Sequence, residues 1–192
     1  MNKRLSRKFY TQPTLKVAKQ MLGKYIIHKI KDKKLIGKIV ETEAYIGPKD
    51  KAAHSFGGRK TKRNIAEYLV GGHIYIYLVY GMYWQLNIST GKEGKPECVL
   101  IRALEPLYPK SYTLNPNITN GPGKLCRWMK VNKNHYGIDV VTSKKIWLED
   151  RGDKIKSNRI VASKRIGIDY AQEWAEKSWR FYIKNNFFVS KM

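Results

Sequence analysis

Two runs of β-branched and aromatic residues, residues 74–80 and 83–89, meet at Gly81 near the middle of the chain. Such residues fit the pleated surface of a β-strand, and glycine lets the chain turn sharply between them. The runs therefore predict a β-hairpin with its tip at Tyr80 and Gly81. Residues 98–104 form another apolar run after a loop, which predicts a third strand and an antiparallel meander.

The N-terminal part of the chain predicts one helix and a second hairpin. Residues 13–22 place apolar side chains at helical spacing, and Gly23 is positioned to end that helix. Residues 25–28 and 35–43 are rich in isoleucine and valine and are joined by a charged turn at residues 31–34. This pattern is typical of two antiparallel strands.

The C-terminal part alternates between helical and strand patterns without a repeat or a linker-like change in composition. It predicts helices over residues 121–131 and 172–177, short strands over residues 137–148 and 159–168, and a partly extended segment over residues 179–189. The sequence as a whole predicts an α+β fold in a single domain of residues 1–192, built on a curved antiparallel β-sheet flanked by helices.

The charge of the chain points to a polyanionic partner. The 38 lysines and arginines exceed the 15 acidic residues so far that the formal net charge is +23. Nucleic acid, acidic lipid and ribosomal RNA would each neutralise such a charge. The 13 tyrosines, 5 tryptophans and 5 phenylalanines add rings that could stack on bases, although most rings are expected in the core.

No segment of the sequence predicts secretion or a membrane span. The basic N-terminus is not followed by an apolar stretch of signal-peptide length, and the longest apolar run, residues 74–84, is broken by Gly81. Cys98 and Cys126 have neither the spacing of a metal site nor the number of a disulfide framework. We expect a soluble cytoplasmic protein, associated with the nucleoid if it is bacterial, with no membrane partner.

Two carboxylates stand at the predicted end of the strand over residues 35–43, followed by the turn-forming pair Gly47 and Pro48. In an extended strand Glu41, Glu43 and Tyr45 share one face. A carboxylate held there, partly desolvated among aromatic rings, can act as a general base towards water. Solvated or lysine-paired carboxylates are the commoner case, and the spacing does not decide which of the two would act.

Residues 47–72 carry three glycine signals and clustered cations, which predicts mainly a loop with at most a short helix near residues 64–69. Within it, residues 57–64 combine glycines, which allow close approach of the backbone to a ligand, with cations that can neutralise phosphates. A mobile, solvated loop is the other interpretation. Residues 120–125 start a helix with glycines, either as a phosphate site or as a simple helix cap.

Several longer strings resemble one family of DNA repair enzymes. They are residues 41–48, 52–55, 75–83, 86–89, 99–106 and 121–126. In this order and spacing they are similar to the alkyladenine DNA glycosylases, also called 3-methyladenine or N-methylpurine DNA glycosylases, from about residue 5 to residue 190. The resemblance implies a monofunctional enzyme that flips a damaged purine out of DNA and hydrolyses its N-glycosidic bond.

The resemblance also implies a role for each matching residue. Glu43 corresponds to the general base that activates water, and Arg102 to the basic residue that helps to hold that water and a phosphate. The base pocket is implied to consist of Tyr45, His54 and Tyr77. At its back, Asn87 is implied to disfavour the exocyclic amine of guanine. The DNA-binding residues are expected to be Tyr80, which would fill the vacated stack, together with Arg59, Lys60, Thr61, Arg63 and Lys124.

Three features differ from the pattern of the family and affect expected DNA contacts rather than the pocket. Phe56 stands where a charged residue is common, Lys62 replaces a turn-forming proline, and the loop of residues 91–96 is slightly longer. We expect no cofactor and no metal, duplex DNA containing damaged purines as the partner, and a monomer. The sequence does not rank 3-methyladenine, 7-methylguanine, hypoxanthine and ethenoadenine as substrates.

Other functional classes compete with this interpretation. A catalytically silent, basic nucleic-acid-binding module would use the same aromatic strand as a stacking platform. The retained Glu43 and Arg102 argue against it. A zinc base deaminase would need a His or Cys two positions before a Glu and a downstream Pro-Cys-x-x-Cys, and the chain has neither. A lyase would need an amine in the pocket, and no matching pocket position is a lysine.

Overall fold

A computed structural model describes residues 2–108 and 115–191, without the side chain of Tyr108. Its strands are β1 (Lys3–Arg4), β2 (Tyr25–Ile30), β3 (Lys33–Ile46), β4 (Ile74–Val79), β5 (Tyr83–Ser89), β6 (Glu97–Tyr108), β7 (Ile146–Asp150), β8 (Ile160–Ser163) and β9 (Arg180–Ile183). Its α-helices are α1 (Arg7–Tyr10), α2 (Thr14–Met21) and α3 (Pro122–Met129).

All strand pairs in the described sheet are antiparallel, and β3 lies at its centre. The main order is β1-β7-β2-β3-β6-β5-β4, with β8 pairing β9. Along one edge of β3, β2 pairs with residues 33–38 and β9 takes over at residues 41–43. Along its other edge lies β6. The predicted α+β class, the antiparallel sheet and the β4-β5-β6 meander are confirmed.

The predicted hairpin tip is also confirmed. Val79 of β4 pairs with Tyr83 of β5, so that Tyr80, Gly81 and Met82 form the loop between them. Tyr80 and Gly81 both adopt positive φ angles, 51° and 69°, and the amide of Met82 donates to the carbonyl of Val79 at 3.1 Å. A left-handed turn of this kind explains the glycine, and it leaves Tyr80 projecting with 86% of its surface exposed.

The two faces of β3 have different environments because its side chains alternate. On one face lies the apolar core, which includes Val40 and Ala44 together with buried residues of α2 and α3. The hydroxyl of Thr42 points to this side and donates to the carbonyl of Ala18 in α2 at 2.9 Å. Glu41 and Glu43 therefore point to the opposite face.

A double irregularity in the pairing of β3 with β6 positions Arg102. Glu41 pairs with Ala103 and Thr42 pairs with Ile101, so Arg102 is an additional residue on β6 at this point. Such a β-bulge redirects a side chain and increases the local twist. The Arg102 side chain thereby lies on the same face as Glu41 and contacts it.

Several predicted elements end elsewhere in the structure. β3 continues to Ile46, so Glu43 lies inside the strand and not at its end as predicted. The strand predicted over residues 137–148 is confirmed only from Ile146. Before it, Asp139 turns the chain by accepting the amide of Val141 at 3.0 Å and by pairing with Arg7 at 2.5 Å.

In the C-terminal segment, too, a long-range ion pair ends a predicted strand early. The strand predicted over residues 159–168 ends at Ser163, because Arg165 turns inward to a buried ion pair with Asp50. The helix predicted over residues 172–177 is a 3₁₀ turn, Asp169–Trp174. No helix within residues 2–108 and 115–191 has the length and apolar character needed to cross a bilayer.

A pair of histidines links β2 to the segment after α3 and makes stability sensitive to acid. His28 Nδ1 lies 2.7 Å from the carbonyl of Met129, and its Nε2 lies 3.2 Å from Nε2 of His135. Burial, followed by the neighbouring Lys130 and Lys145, lowers the pKa of His28. Burial and His28 likewise lower the pKa of His135. Both rings are therefore neutral in the folded protein at neutral pH.

We expect the folded protein to lose stability as the pH falls below about 6.5, the ordinary pKa of histidine. Below that pH the unfolded chain binds protons that the folded pair excludes, at about 1.4 kcal/mol for each unit of depressed pKa. Urea unfolding at pH 7.5 and 5.5 measures this difference. His135→Gln should reduce it, whereas Lys133→Gln, an exposed change on the same turn, should not. An equal pH dependence in both variants would contradict the assignment.

Candidate active site

The face of the sheet opposite α2 contains a cavity of about 360 Å³. Five of the residues singled out in the sequence line it: Tyr45, His54, Tyr77, Tyr80 and Arg102. The cavity is continued by a narrow recess of about 10 Å³, lined by Tyr45, Ala52, His54, Glu67, Tyr75, Tyr77, Asn87 and Cys98. The fold thus brings together residues that are up to 57 positions apart, from Tyr45 to Arg102.

A larger cavity of about 520 Å³ lies elsewhere, lined among others by Lys19, Lys24, Asp150 and Ile155. None of the site residues predicted from the sequence lines it. Much of its wall comes from α2, β7 and the segment after β7, where Asp150 pairs with Lys24 at 2.7 Å and Asp153 accepts from the phenol of Tyr25. The candidate catalytic and pocket residues converge instead on the smaller cavity, which is therefore the candidate active site.

Glu43 is fully buried beside the cavity and is held by three groups. The phenol of Tyr45 donates to Oε2 at 2.8 Å, and the main-chain amide of Ile166 donates to Oε1 at 2.8 Å. Arg102 Nη1 lies 3.2 Å from Oε1. Since Tyr45, Arg102 and Ile166 themselves line the cavity, the carboxylate lies directly behind its wall. A single orientation of the carboxylate follows from these contacts.

Glu41 lies on the same face but is enclosed in a different network. Its Oε1 accepts from Arg102 Nε and Arg180 Nη1, both at 3.0 Å, and its Oε2 accepts from the amide of Ser190 at 2.7 Å. The Ser190 hydroxyl also donates to Oε1 at 2.9 Å. Glu41 does not line the cavity, and its acceptors are occupied by the protein. Glu43 is equally buried, but its partners Tyr45, Arg102 and Ile166 all line the cavity, whereas of these partners of Glu41 only Arg102 does.

Arg102 bridges the two carboxylates. Burial lowers the pKa of its guanidinium, but Glu43 and Glu41 more than offset that effect and raise the pKa above its usual value. The side chain is 7% exposed, so its charge is balanced inside the protein rather than by solvent. Arg102 therefore remains a cation at the cavity wall.

The sequence did not single out Arg165, which supports Tyr45 and the Glu43 contact. Its guanidinium forms two hydrogen bonds with Asp50, at 2.5 and 2.9 Å, and both side chains are fully buried. It also lies 4.8 Å from the centre of the Tyr45 ring. The following residue is Ile166, whose amide contacts Glu43. A lone arginine in a C-terminal segment gives no sequence signal for this role.

Aromatic side chains form the walls of the cavity and the recess. The rings of His54 and Tyr77 meet edge to face, with centroids 4.5 Å apart. His54 Nδ1 lies 2.6 Å from the hydroxyl of Tyr75, a residue that the sequence did not single out. Partial burial, followed by Arg63 and Arg59, lowers the pKa of His54, so the ring is neutral at neutral pH.

Asn87 and Tyr80 lie at opposite ends of this arrangement. Asn87 is 1% exposed in the recess, and its Nδ2 donates to the carbonyl of Gln85 at 3.1 Å. Tyr80 lies at the mouth of the cavity, on the exposed hairpin tip. Buried Asn87 and projecting Tyr80 could thus contact different parts of one extended ligand.

The glycine-rich loop is ordered by internal hydrogen bonds, although Arg59, Lys60, Thr61 and Arg63 are all exposed. Buried Asn64 accepts from the amide of Thr61 at 2.7 Å and donates to the carbonyl of Arg59 at 2.9 Å. Arg63 donates to the carbonyl of Leu78 at 3.0 Å, which ties the loop to β4. The cations are therefore presented beside the cavity on a defined backbone.

The start of α3 lies next to the hairpin, which places Lys124 near the same surface. A methyl group added to Gly123 would lie 2.7 Å from Cδ1 of Tyr83, so glycine permits this close approach. Lys124 is exposed and donates to the side chain of Asn120 at 2.8 Å. The close approach to Tyr83 is a structural reason for a glycine at the helix start.

The three features that differ from the family pattern, Phe56, Lys62 and the loop of residues 91–96, all lie in surface segments. Phe56 is 47% exposed, and the carbonyl of Lys62 accepts from the phenol of Tyr136 at 3.2 Å. In the 91–96 loop, Gly94 donates to the carbonyl of Tyr68 at 2.7 Å and Pro96 accepts from Ser55 at 3.3 Å. Among the residues that the structure describes, no group of three or more His, Cys, Asp or Glu side chains could hold a metal ion.

Comparison with known proteins gives one consistent result. The methylpurine-DNA glycosylase family model matches residues 8–187. Proteins named "Putative 3-methyladenine DNA glycosylase" are similar to the chain: one from Clostridium novyi is 48% identical, over 98% of this chain and 99% of its own length. Others from Clostridium perfringens and Desulfitobacterium hafniense are 45% and 43% identical, again over 98% of this chain and 99% and 98% of their own lengths.

We expect Arg165→Met to destabilise the protein by about 3 to 5 kcal/mol, because it leaves the buried carboxylate of Asp50 without its cation. Urea unfolding measures the loss. The double variant Asp50→Asn, Arg165→Met removes both charges and should recover part of it. Arg127→Met, an exposed arginine on α3, is the matched control and should lie within about 0.5 kcal/mol of wild type. If the double variant loses as much unfolding free energy as the sum of the losses in Arg165→Met and Asp50→Asn, the two side chains do not form the ion pair.

Proposed function

The chain belongs to the methylpurine-DNA glycosylase family and is a DNA glycosylase that acts on alkylated bases, and we propose that it hydrolyses the N-glycosidic bond of a purine flipped from duplex DNA into the cavity. The observation that carries this proposal is Glu43, buried at the cavity wall and oriented by Tyr45, Arg102 and Ile166. Flipping is required because the sugar carbon that reacts is otherwise hidden in the stacked duplex.

In the proposed reaction Glu43 acts as a general base. It takes a proton from a water molecule whose oxygen forms a bond to C1′ of the deoxyribose. The bond between C1′ and the purine nitrogen breaks, and its electron pair leaves with the base. Arg102 holds the water and the adjacent phosphate while keeping the carboxylate oriented. The positive charge of an alkylated purine makes this departure easy, because the base leaves as a neutral molecule.

The aromatic walls suit this class of base. Tyr45, His54 and Tyr77 lie around the space that the purine would occupy, and electron-rich rings attract a cation through their faces. Neutral His54 can accept or donate one hydrogen bond without repelling that cation. Asn87 in the recess would meet an edge of the base and disfavour the guanine amine. We propose 3-methyladenine, 7-methylguanine and hypoxanthine as the substrate class.

The same geometry supports hydrolysis without lyase activity. A lyase needs an amine that attacks the sugar carbon, and no lysine is among the described residues that line the cavity or the recess. The proposed reaction needs neither a cofactor nor a metal. We further propose that the enzyme works as a monomer of one domain, since the candidate catalytic and pocket residues all come from one chain.

On the DNA side, the exposed cations and Tyr80 have complementary tasks. Arg59, Lys60, Thr61, Arg63 and Lys124 would contact phosphates, which fix the position of the duplex without reading its sequence. Tyr80 projects from a turn whose conformation is held by hydrogen bonding and glycine. Its ring would fill the gap that the flipped nucleotide leaves and offset part of the unstacking free energy.

Glu43→Gln should keep binding of lesion-bearing duplex but slow excision by a factor on the order of 10² to 10⁴, because glutamine keeps the shape and loses the proton acceptor. Single-turnover release of hypoxanthine and 7-methylguanine, followed by alkali cleavage of the abasic product, measures the rate. Glu41→Gln is the comparison at equal folded fraction and should retain far more activity. An unchanged rate in Glu43→Gln, or the larger loss in Glu41→Gln, would refute the proposed base.

Tyr80→Ser should lower the flipped fraction for every lesion, because the exposed ring no longer occupies the vacated stack. Asn87→Ser is the matched change inside the recess, and it should raise release of undamaged guanine relative to hypoxanthine without altering flipping. Fluorescence of 2-aminopurine beside the lesion reports flipping, and chromatography of released bases reports selectivity. The reverse pattern, with Tyr80 controlling base choice, would contradict the division of roles.

A further inference from the structure

One acidic side chain in the recess has no part in the mechanism above. Glu67 lies in the 3₁₀ turn Ile65–Tyr68 and is 2% exposed. It lines the recess together with Asn87 and Cys98, whereas Glu43 lies behind the wider part of the cavity. The recess has room for about one water molecule, so a base entering the cavity would bring its edge close to this carboxyl group.

The contacts of Glu67 leave one of its oxygens unused. Oε1 lies 3.8 Å from the thiol of Cys98, which is also 3.8 Å from Oδ1 of Asn87. Oε2 is buried and has no hydrogen-bond partner within the described parts of the chain. A buried acceptor without a partner is rare in folded proteins and calls for an explanation, such as a catalytic role or a bound water or ion. Here the unused oxygen belongs to a residue of the recess.

The surroundings of Glu67 provide no cation. It forms no ion pair with any described residue, and the groups that face it are uncharged at neutral pH. They are the thiol of Cys98 from β6, the phenols of Tyr75 and Tyr77 from β4, the neutral imidazole of His54 and the phenol of Tyr136, together with the hydroxyl of Ser55 and the side-chain amide of Asn64. Burial raises the pKa of Glu67 to about 7, although Ser55, Cys98 and Asn64 lower it in part. Near neutral pH this carboxyl group can therefore lose or keep its proton.

We propose that Glu67 is a specificity-determining residue, which makes the recess favour purines that carry a positive charge over neutral purines. An ionised carboxylate at the recess attracts a cationic base and can accept from one of its N–H groups. A neutral base such as hypoxanthine supplies no charge to balance the carboxylate and places a carbonyl oxygen on its edge. This inference rests on the proposed function, because it assigns a preference within the same cavity.

The test compares two duplexes that differ only in the lesion, 7-methylguanine as the cationic base and hypoxanthine as the neutral one. Single-turnover excision of each is measured at pH 8 for wild type, Glu67→Gln and the control Glu93→Gln, which alters an exposed acid in the 91–96 loop. We expect the ratio of 7-methylguanine to hypoxanthine rates to fall about tenfold in Glu67→Gln only, the usual size of a lost charge-assisted hydrogen bond. An unchanged ratio would overturn the proposal.

At acid pH, wild type and Glu67→Gln should no longer differ in the ratio of 7-methylguanine to hypoxanthine excision rates. At pH 5.5 wild-type Glu67 is protonated, so wild type and Glu67→Gln should show the same ratio of rates. Rates that depend on Glu43 affect both lesions and both proteins, and they cancel in this comparison. A ratio that differs equally at pH 5.5 and pH 8 would indicate a change of shape rather than of charge, and it would overturn the proposal.

Thermal unfolding shows whether the variant folds and gives an independent measure of the carboxylate. The folded protein holds the Glu67 proton to a higher pH than the unfolded chain, so ionisation destabilises wild type as the pH rises from about 4.5 through about 7. Glu67→Gln should therefore have a higher Tm than wild type at pH 8.5 and a similar Tm at pH 5.5. A lower Tm at pH 8.5 would show that the buried charge is already balanced, against the proposal.

The outcomes of these assays distinguish a failure of the proposed function from a failure of the role proposed for Glu67. If wild type releases neither base, the proposed function fails, and the inference about Glu67 fails with it. If wild type releases either base and Glu67→Gln leaves the ratio of the rates unchanged, the proposed function stands and only the inference about Glu67 fails.

Discussion

The ion pairs of Arg102 with Glu41 and Glu43 are the constraint on which the cavity depends. Two carboxylates buried on one strand face would be unfavourable without cations, since removing charge from water costs several kcal/mol per ion. The sheet provides those cations from both neighbours of β3: Arg102 from β6 and Arg180 from β9. The order of strands around β3 and the bulge at Arg102 are thus tied to the same electrostatic requirement.

A second buried pair extends this arrangement to the cavity wall. Asp50 follows β3 and Arg165 follows β8, so their contact joins segments 115 positions apart. Arg165 places Ile166 against Glu43 and supports the ring of Tyr45 from behind. The carboxylate of Glu43, behind the cavity wall, is therefore oriented by groups whose own positions are fixed by ion pairs. Such support suits the proposed role of Glu43, because a general base must be held precisely towards its water molecule.

The sequence predicted the strands and the hairpin well because their signals are local. Runs of β-branched and aromatic residues on either side of Gly81 predict β4, β5 and the hairpin tip at Tyr80 without information from elsewhere in the chain. The strand pattern alone could not separate Glu41 from Glu43, and the choice of Glu43 came from the family resemblance. Both carboxylates lie on one face, and distant Arg180, Ser190 and Ile166 distinguish their surroundings. Where residues 137–145 and 164–168 leave the sheet, Asp139 and Arg165 form long-range ion pairs that override local strand preference.

The cations of the chain fall into two groups with different physical consequences. Those on the cavity side, Arg102, Arg165 and Arg180, are paired with carboxylates and hold the fold together. Those on the loop beside the cavity, Arg59, Lys60 and Arg63, are exposed and form no ion pair with any residue that the structure describes. Their mutual repulsion is unrelieved in the free protein, and a polyanion relieves it while releasing counterions from its own backbone. The DNA contacts proposed for this loop would then leave undisturbed the charges that position Glu43, because the two groups of cations share no carboxylate.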